Sequence, residues 1–327
     1  MRSRFSIAFL LAATACGNVT TSGSGTSAVK ACGDMAAALC AKRASCTNGA
    51  GIVRTNGDMQ TCVSREELTC MTALAAPDSG NNPDKVEQCV AAYAMYSCTD
   101  FLNGNPPAVC IPMGPRAVGA PCAFNGQCAS AFCGRNKTST CGTCANPPMP
   151  GDSCAASPCG HDQACVSKTM ACAVYVDLNV ACGADAPCGA GLNCVPPNQA
   201  TSSCQLAIAN AGATCGAGSN GCDGTFGLSC TGTVGSKTCT AIVFGGDGTA
   251  CGLMADGTRG GCKAGGCYTT TGLAGPEEAG TCRADAADGS PCDSVLGPGC
   301  QAPARCVVVD DAGTAGTCLV PDATTCG

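Results

Sequence analysis

Residues 119–141 read GAPCAFNGQCASAFCGRNKTSTC, which places Cys122, Cys128, Cys133 and Cys141 in one short stretch with hardly a large apolar side chain between them. A segment so dense in cysteine and so poor in apolar bulk is held by cross-links rather than by a buried core. The pattern recurs to the C-terminus. Cys154, Cys159, Cys165 and Cys172 form a second four-cysteine unit, and Cys182, Cys188, Cys194 and Cys204 a third. Cys215, Cys222, Cys230 and Cys239 follow, then Cys251, Cys262, Cys267 and Cys282, then Cys292, Cys300, Cys306 and Cys318. First cysteines are 32, 28, 33, 36 and 41 residues apart. A period in that range signals stacked small modules rather than one globule.

The gaps inside a unit divide into fixed and variable ones. Third-to-fourth gaps run 7, 6, 9, 8, 14 and 11 residues. Counted from Cys144, Cys172, Cys204, Cys239 and Cys282, the stretch to the next unit is a steady 9, 9, 10, 11 and 9. These connecting stretches contain apolar runs such as Ala173-Val174-Tyr175-Val176 and Ala241-Ile242-Val243-Phe244, read as short strands between modules. The variable loops would project from the stack and supply contact surfaces.

Composition supports the modular reading. The chain has 327 residues, of which 35 are Cys, 45 Gly and 19 Pro, and it contains no Trp. Leu, Ile, Val and Phe number only 46, too few for a doubly wound sheet, a βα barrel or another large single-core enzyme fold. Seventeen basic residues face 23 acidic ones with no basic cluster, which argues against nucleic-acid binding.

Upstream, residues 32–114 have another texture, richer in Ala, Met and Glu, with eight cysteines at 32, 40, 46, 62, 70, 89, 98 and 110. Helices are expected over 34–46, with Met35, Leu39 and Cys46 on one face, and after Asp58 as N-cap. A third opens at Asn82-Pro83-Asp84, buries Val86, Cys89, Val90 and Tyr93, and ends before Asn103-Gly104. The expected architecture is a short disulfide-stapled helical domain followed by an extended array of small disulfide-rich modules with short strands and loops. The units fall at 115–150, 151–178, 179–210, 211–246, 247–286 and 287–327.

The N-terminus carries an export signal. Arg2 and Arg4 precede the apolar stretch Phe5–Ala13, too short to span a bilayer, and Ala13-Thr14-Ala15-Cys16 follows. Residues 1–15 read as a signal peptide. The small residues suit either ordinary signal cleavage or a lipobox ending in a lipidated Cys16. Parity favours lipidation, since removing Cys16 from 35 leaves an even number that can pair completely. Residues 16–31 then read as the lipidated cysteine and a Ser/Thr/Gly-rich tether. The resemblance to bacterial lipoproteins, in which Asp after the lipidated cysteine tends to keep the protein at the inner membrane, implies with Gly17 a lean towards outer-membrane delivery. Loss of Arg2 and Arg4 with the signal takes the side-chain balance from −6 to −8.

At Cys122, Cys128, Cys133, Cys141 and Cys144 the first unit resembles the N-terminal cysteine-rich module of Dickkopf proteins, including its C-x2-C. The other units have drifting gaps and no C-x2-C. The resemblance implies first-to-third and second-to-fourth pairing. For unit 1 that means Cys122–Cys133 and Cys128–Cys141. For units 2 and 3 it means Cys154–Cys165, Cys159–Cys172, Cys182–Cys194 and Cys188–Cys204. For units 4 to 6 it means Cys215–Cys230, Cys222–Cys239, Cys251–Cys267, Cys262–Cys282, Cys292–Cys306 and Cys300–Cys318. Cys144 and Cys326 are left over, either paired with each other or with one reaching the helical domain. The whole layout also resembles myxobacterial cysteine-rich lipoproteins. That resemblance implies a class and a location, not an activity, and the Dickkopf signalling role is not carried over.

Catalytic and metal chemistry find little footing. His161, the only histidine, stands beside Asp162 between Cys159 and Cys165 and reads as an exposed loop residue. Cys141-Gly-Thr-Cys144 has the spacing of zinc and redox motifs but lacks a βαβ context. Gly245-Gly246-Asp247-Gly248 and Asp256-Gly257 read as turns rather than calcium loops. Residues 256–327 hold nine acids and four bases and read as a solvated face. Asn18 and Asn136 stand in chance-level sequons. The expectation is therefore a non-catalytic exported lipoprotein with no cofactor or metal. It would be anchored by its lipid, would bind no nucleic acid, and would act as a binding or adhesion array for a protein or envelope polymer, or as a stalk. An exported peptidase inhibitor or small-ligand capture protein is the alternative, with an enzyme third.

Overall fold

The computed structural model describes residues 26–326 apart from 136, 155–158, 167–168, 184, 196–201, 217–219, 234, 276–277 and 310–312. The signal segment, Cys16, most of the tether, Asn18 and Asn136 lie outside the described residues. So do parts of every third-to-fourth cysteine loop, the segments expected to project.

Five helices form the N-terminal domain: α1 (Ala28–Cys46), α2 (Ala50–Asn56), α3 (Met59–Leu74), α4 (Pro83–Ala94) and α5 (Cys98–Leu102). Their starts are chemically marked. Asp58 accepts a hydrogen bond from the Thr61 N–H at 2.8 Å, and Asn82 from the Lys85 N–H at 2.9 Å. Cys32 and Cys40 on α1 bridge Cys70 and Cys62 on α3. Both pairs are spaced eight residues apart and meet in reverse order, so α1 and α3 run antiparallel. Cys46–Cys98 and Cys89–Cys110 complete the staples.

Three expectations for this domain need correction. The tether expected to reach residue 31 stops earlier, because Ser27 caps α1 and accepts the Lys30 N–H at 3.2 Å. The Cys32–Cys70 bridge then holds the first turn in the domain, with Ala31 and Cys32 fully buried. The buried face of α1 is the small-residue stripe Ala31, Cys32, Ala36 and Cys40 rather than Met35 and Leu39, because two disulfides draw α3 close. Finally, the helix expected to run up to Asn103 breaks after Ala94, and α5 restarts under the Ser97 cap so that Cys98 meets Cys46.

Each cysteine-rich unit is built on an antiparallel hairpin. Unit 1 has β1 (Pro121–Cys122), β2 (Cys133–Arg135) and β3 (Gly142–Cys144). Unit 2 has β4 (Gln163–Val166) and β5 (Ala171–Val174), and unit 3 has β6 (Leu192–Val195) and β7 (Ser203–Leu206). Unit 4 has β8 (Leu228–Thr231) and β9 (Thr238–Ala241), followed by β10 (Val243–Gly245). Unit 5 has β11 (Ala250–Leu253), β12 (Arg259–Cys262), β13 (Gly265–Tyr268) and β14 (Ala279–Ala284). Unit 6 has β15 (Pro291–Asp293), β16 (Arg305–Val308) and β17 (Ala315–Leu319).

The hairpin register explains the bridges. In units 2 to 6 the third and fourth cysteines stand directly opposite across the ladder, as in Cys165↔Cys172 and Cys306↔Cys318. Opposed residues share a face, and each then bonds outward. The third cysteine reaches the first, in Cys154–Cys165, Cys182–Cys194, Cys215–Cys230, Cys251–Cys267 and Cys292–Cys306. The fourth reaches the second, in Cys159–Cys172, Cys188–Cys204, Cys222–Cys239, Cys262–Cys282 and Cys300–Cys318.

Unit 1 follows the same geometry with a different residue. Cys122 pairs with Cys133, but the residue opposite Cys133 is Cys144, so the expected Cys128–Cys141 bridge is replaced by Cys128–Cys144. Cys141 lies three residues before Cys144, an odd offset that turns it towards the other face of the strand. It bonds Cys326 instead.

A backbone device recurs with the bridges. The residue three before each first cysteine donates its N–H to the fourth cysteine's carbonyl, at 2.7–2.8 Å, from Gly119, Gly151, Asn179, Gly212, Gly248 and Gly289. All six have positive φ, between 65° and 93°. Glycine accepts that conformation freely and asparagine is the next most tolerant residue.

Strands leaving one unit pair into the next, as the apolar connecting runs suggest. Val176 bridges Cys188 of unit 3 in parallel, and β10 pairs in parallel with β12 of unit 5. The array does not extend away from the helices, however. Unit 1 donates through the Gln127 side chain to the Pro77 carbonyl, and His161 of unit 2 lies 3.3 Å from the Gly104 carbonyl. The Ala190 N–H of unit 3 donates to Asn103 at 2.7 Å, and Arg54 donates to Gly224 of unit 4 at 2.7 Å. The Ala264 N–H of unit 5 donates to Val53 at 3.1 Å, and Arg65 grips Asp288 of unit 6. Every unit thus holds the helical domain by a polar contact. The path closes where Cys326 bonds Cys141 of unit 1 and the Val308 N–H donates to Lys137 at 3.0 Å.

Candidate functional site

Curling the array around the helices leaves a cleft of about 520 Å³ between α1–α3 and units 5 and 6. Three arginines reach it from the helical side. Arg43 donates to Glu66 at 3.0 Å and to Asn56 at 3.2 Å. Arg54 lies 5.9 Å from the Phe244 ring centroid. Arg65 makes a two-pronged contact with Asp288, at 2.7 and 2.8 Å, and donates to the Gln301 and Ala302 carbonyls. That contact holds the Asp288 carboxyl below its ordinary range.

The opposite wall carries Tyr268, on β13, and Asp285, just after β14. The Tyr268 ring lies against Gly266 and Gly297, where a Cβ would come within 2.6 Å of it. Asp285 is fixed by its N–H, which donates to the Ala264 carbonyl at 2.8 Å. A Cβ on Gly299 would sit 3.0 Å from Asp285 Oδ1 and 3.9 Å from the Tyr268 hydroxyl, so one glycine borders both groups. Among the described residues no base lies within ion-pair reach of Asp285. Burial pushes its carboxyl up to about 6. Burial, then the charge of Asp285, raises the Tyr268 hydroxyl.

Because the folded Asp285 holds its proton more tightly than the unfolded chain, the contribution of Asp285 to stability is greatest below about pH 4. It falls as pH rises towards 6 and is then level. Asp285→Asn should leave stability unchanged at pH 4 and raise it at pH 7.5 by about 1 kcal/mol, after discounting for partial solvent exposure. Denaturant unfolding at the two pH values checks this, and an equal change at both would contradict it.

The cleft can offer a carboxylate, a phenol and arginine N–H groups to a ligand, a set suited to hydroxyl- or amine-bearing molecules. Sequence reading missed it. Asp285 and Asp288 belong to the acidic stretch read as a solvated face, yet one is half-buried and the other is locked to Arg65. No local signal marks them, because their partners lie on α3 and β13.

The other candidates resolve into structure. His161 is exposed and rests on the Gly104 carbonyl, away from the cleft. Cys141 and Cys144 belong to two different disulfides. Sulfur triplets such as Cys122, Cys128 and Cys144 arise because two bridges stack in each unit, and bridged sulfurs are not thiolate ligands. Asp247 accepts the Ala284 N–H at 2.9 Å and so ties its loop to β14, and Asp256 accepts the Thr258 N–H at 2.9 Å and so fastens its own turn. Cys16 lies outside the described residues.

The 34 cysteines from Cys32 to Cys326 form 17 disulfides. Such bridging marks a protein exported to an oxidising compartment. Among the described residues no helix is long and apolar enough to cross a membrane. No protein-family model, curated protein or solved structure matches the chain.

Proposed function

We propose that this chain is a non-catalytic, exported lipoprotein anchored through Cys16, whose disulfide ring binds a hydroxyl- or amine-bearing polymer of the cell envelope. The observation that carries the binding reading is the cleft in which Asp285, without an ionic partner among the described residues, faces the arginines of α1–α3. The complete pairing of the other 34 cysteines supports lipidation, since it leaves Cys16 as the one odd thiol. Eleven residues separate Cys16 from α1, so the folded body would stay within about 40 Å of the outer-membrane surface. The closed course of the array favours a compact binding body over a stalk. Capture of a small polar ligand is a second reading, favoured by the size of the same cleft.

Two measurements test this. Intact mass of the protein expressed with its own signal should show a diacylglyceryl group on Cys16 and no alkylatable thiol. A free thiol at Cys16 would remove the anchor. Co-sedimentation of the purified protein with insoluble peptidoglycan should saturate and should weaken at least tenfold in Asp285→Asn. Absence of sedimentation, or equal sedimentation of the variant, would refute polymer binding in the cleft.

A further inference from the structure

A second cavity, of about 260 Å³, lies apart from the cleft, at the seam where the array closes on itself. Ser79 and Asn81 line it from the segment between α3 and α4, Phe124, Asn125 and Arg135 from unit 1, and Pro321 from the C-terminal segment. Arg135 is the unusual member. Its Nη2 donates to the Ala123 carbonyl and its guanidinium carbon lies 5.9 Å from the Phe124 ring centroid. Its Nε is buried with no hydrogen-bond partner among the described residues. Among the described residues no carboxylate lies within ion-pair distance of it. Burial and the like charge of Arg305 pull the guanidinium down to about 10.

Burying a guanidinium without a counter-charge is unfavourable, and removing it from water gains nothing unless an anion meets it. The cavity beside it has the volume of a small organic molecule and combines neutral polar side chains with an aromatic ring and three prolines. A planar carboxylate matches the fork of N–H donors on arginine, and Phe124 and Pro321 can cover a short apolar body.

We propose that the seam cavity is a binding site for a small organic carboxylate, held by the Arg135 guanidinium with Ser79, Asn81 and Asn125 around it. The ligand would touch the helical domain, unit 1 and the C-terminal segment together, and would therefore brace the closure of the ring.

Titration calorimetry on the full disulfide-bonded chain, with benzoate as probe at constant ionic strength, tests the proposal. Saturable one-site binding is expected, with benzamide and inorganic sulfate each at least tenfold weaker. Arg135→Met should weaken benzoate at least tenfold. Should that variant fail to fold, Asn81→Asp serves instead. It places a carboxylate in the same cavity and should abolish benzoate binding while raising the melting temperature. No benzoate binding at millimolar concentration, equal binding of benzamide or sulfate, or unchanged binding in the folded variants would each overturn the assignment.

Discussion

The double variant Cys141→Ser/Cys326→Ser should lose about 4–5 kcal/mol of stability, the largest effect of any one bridge in the molecule. A disulfide stabilises mainly by restricting the unfolded chain, and the restriction grows with the loop it closes. Cys141–Cys326 spans 185 residues, against 11–20 for the bridges within units 1 to 6. The ten bridges inside the large loop shorten its effective path, which keeps the figure below the full-length value. Replacing both cysteines leaves no unpaired thiol to reshuffle. Unit 6 would then be held by Arg65, which binds Asp288 and two carbonyls, and by the Val308–Lys137 hydrogen bond. Guanidinium unfolding under non-reducing conditions should show a lower midpoint. Limited proteolysis should cut first between units 5 and 6. A loss below about 1 kcal/mol would mean that the polar contacts alone close the ring.

The reach of sequence reading followed the range of the interactions. Asp58 and Asn82 could be recognised as caps because each bonds a residue three positions on. The six units could be recognised because their bridges close loops of 11–20 residues. The fourth cysteine of unit 1 was also legible: the constant connecting length counts from Cys144, which marks Cys144 rather than Cys141 as the hairpin residue. The position three before each first cysteine also carries a sequence mark, five glycines and one asparagine, the residues that tolerate its positive φ. The closed course of the array was not legible. It depends on pairs such as Arg65 with Asp288, 223 residues apart, and on single polar contacts with no pattern of their own. The candidate cleft exists only because of that closure, so Asp285 and Tyr268 look ordinary until units 5 and 6 are set against α3.

Gln127→Leu should cost about 3–4 kcal/mol, more than any other neutral substitution at the seam. Gln127 is fully buried. Its Oε1 accepts the N–H groups of Ala123, at 2.7 Å, and Phe124, at 3.1 Å. Its side-chain amide donates to the Pro77 carbonyl at 2.8 Å. Leucine fills the space but pairs with none of the three groups. Each buried polar group left without a partner costs about 1–3 kcal/mol, partly offset by the gain from burying an apolar side chain. The surroundings cannot relax to rescue them. A Cβ on Gly114 would lie 2.4 Å from the Gln127 carbonyl, and one on Gly80 2.0 Å from the Met113 carbonyl, so the backbones already touch. The Gly80 N–H also donates to the Gly126 carbonyl at 2.7 Å, which locks the 3-10 turn Asn125–Gln127. Hydrogen exchange gives the sharpest readout. The amides of Ala123, Phe124 and Gly80 should lose protection together, because Gln127 and the Gly80–Gly126 hydrogen bond join unit 1 to the same segment after α3. Amides of units 3 and 4 should keep theirs. Loss of protection confined to Ala123 and Phe124 would show that Gln127 orders its own turn and leaves the docking of unit 1 to the glycine contacts.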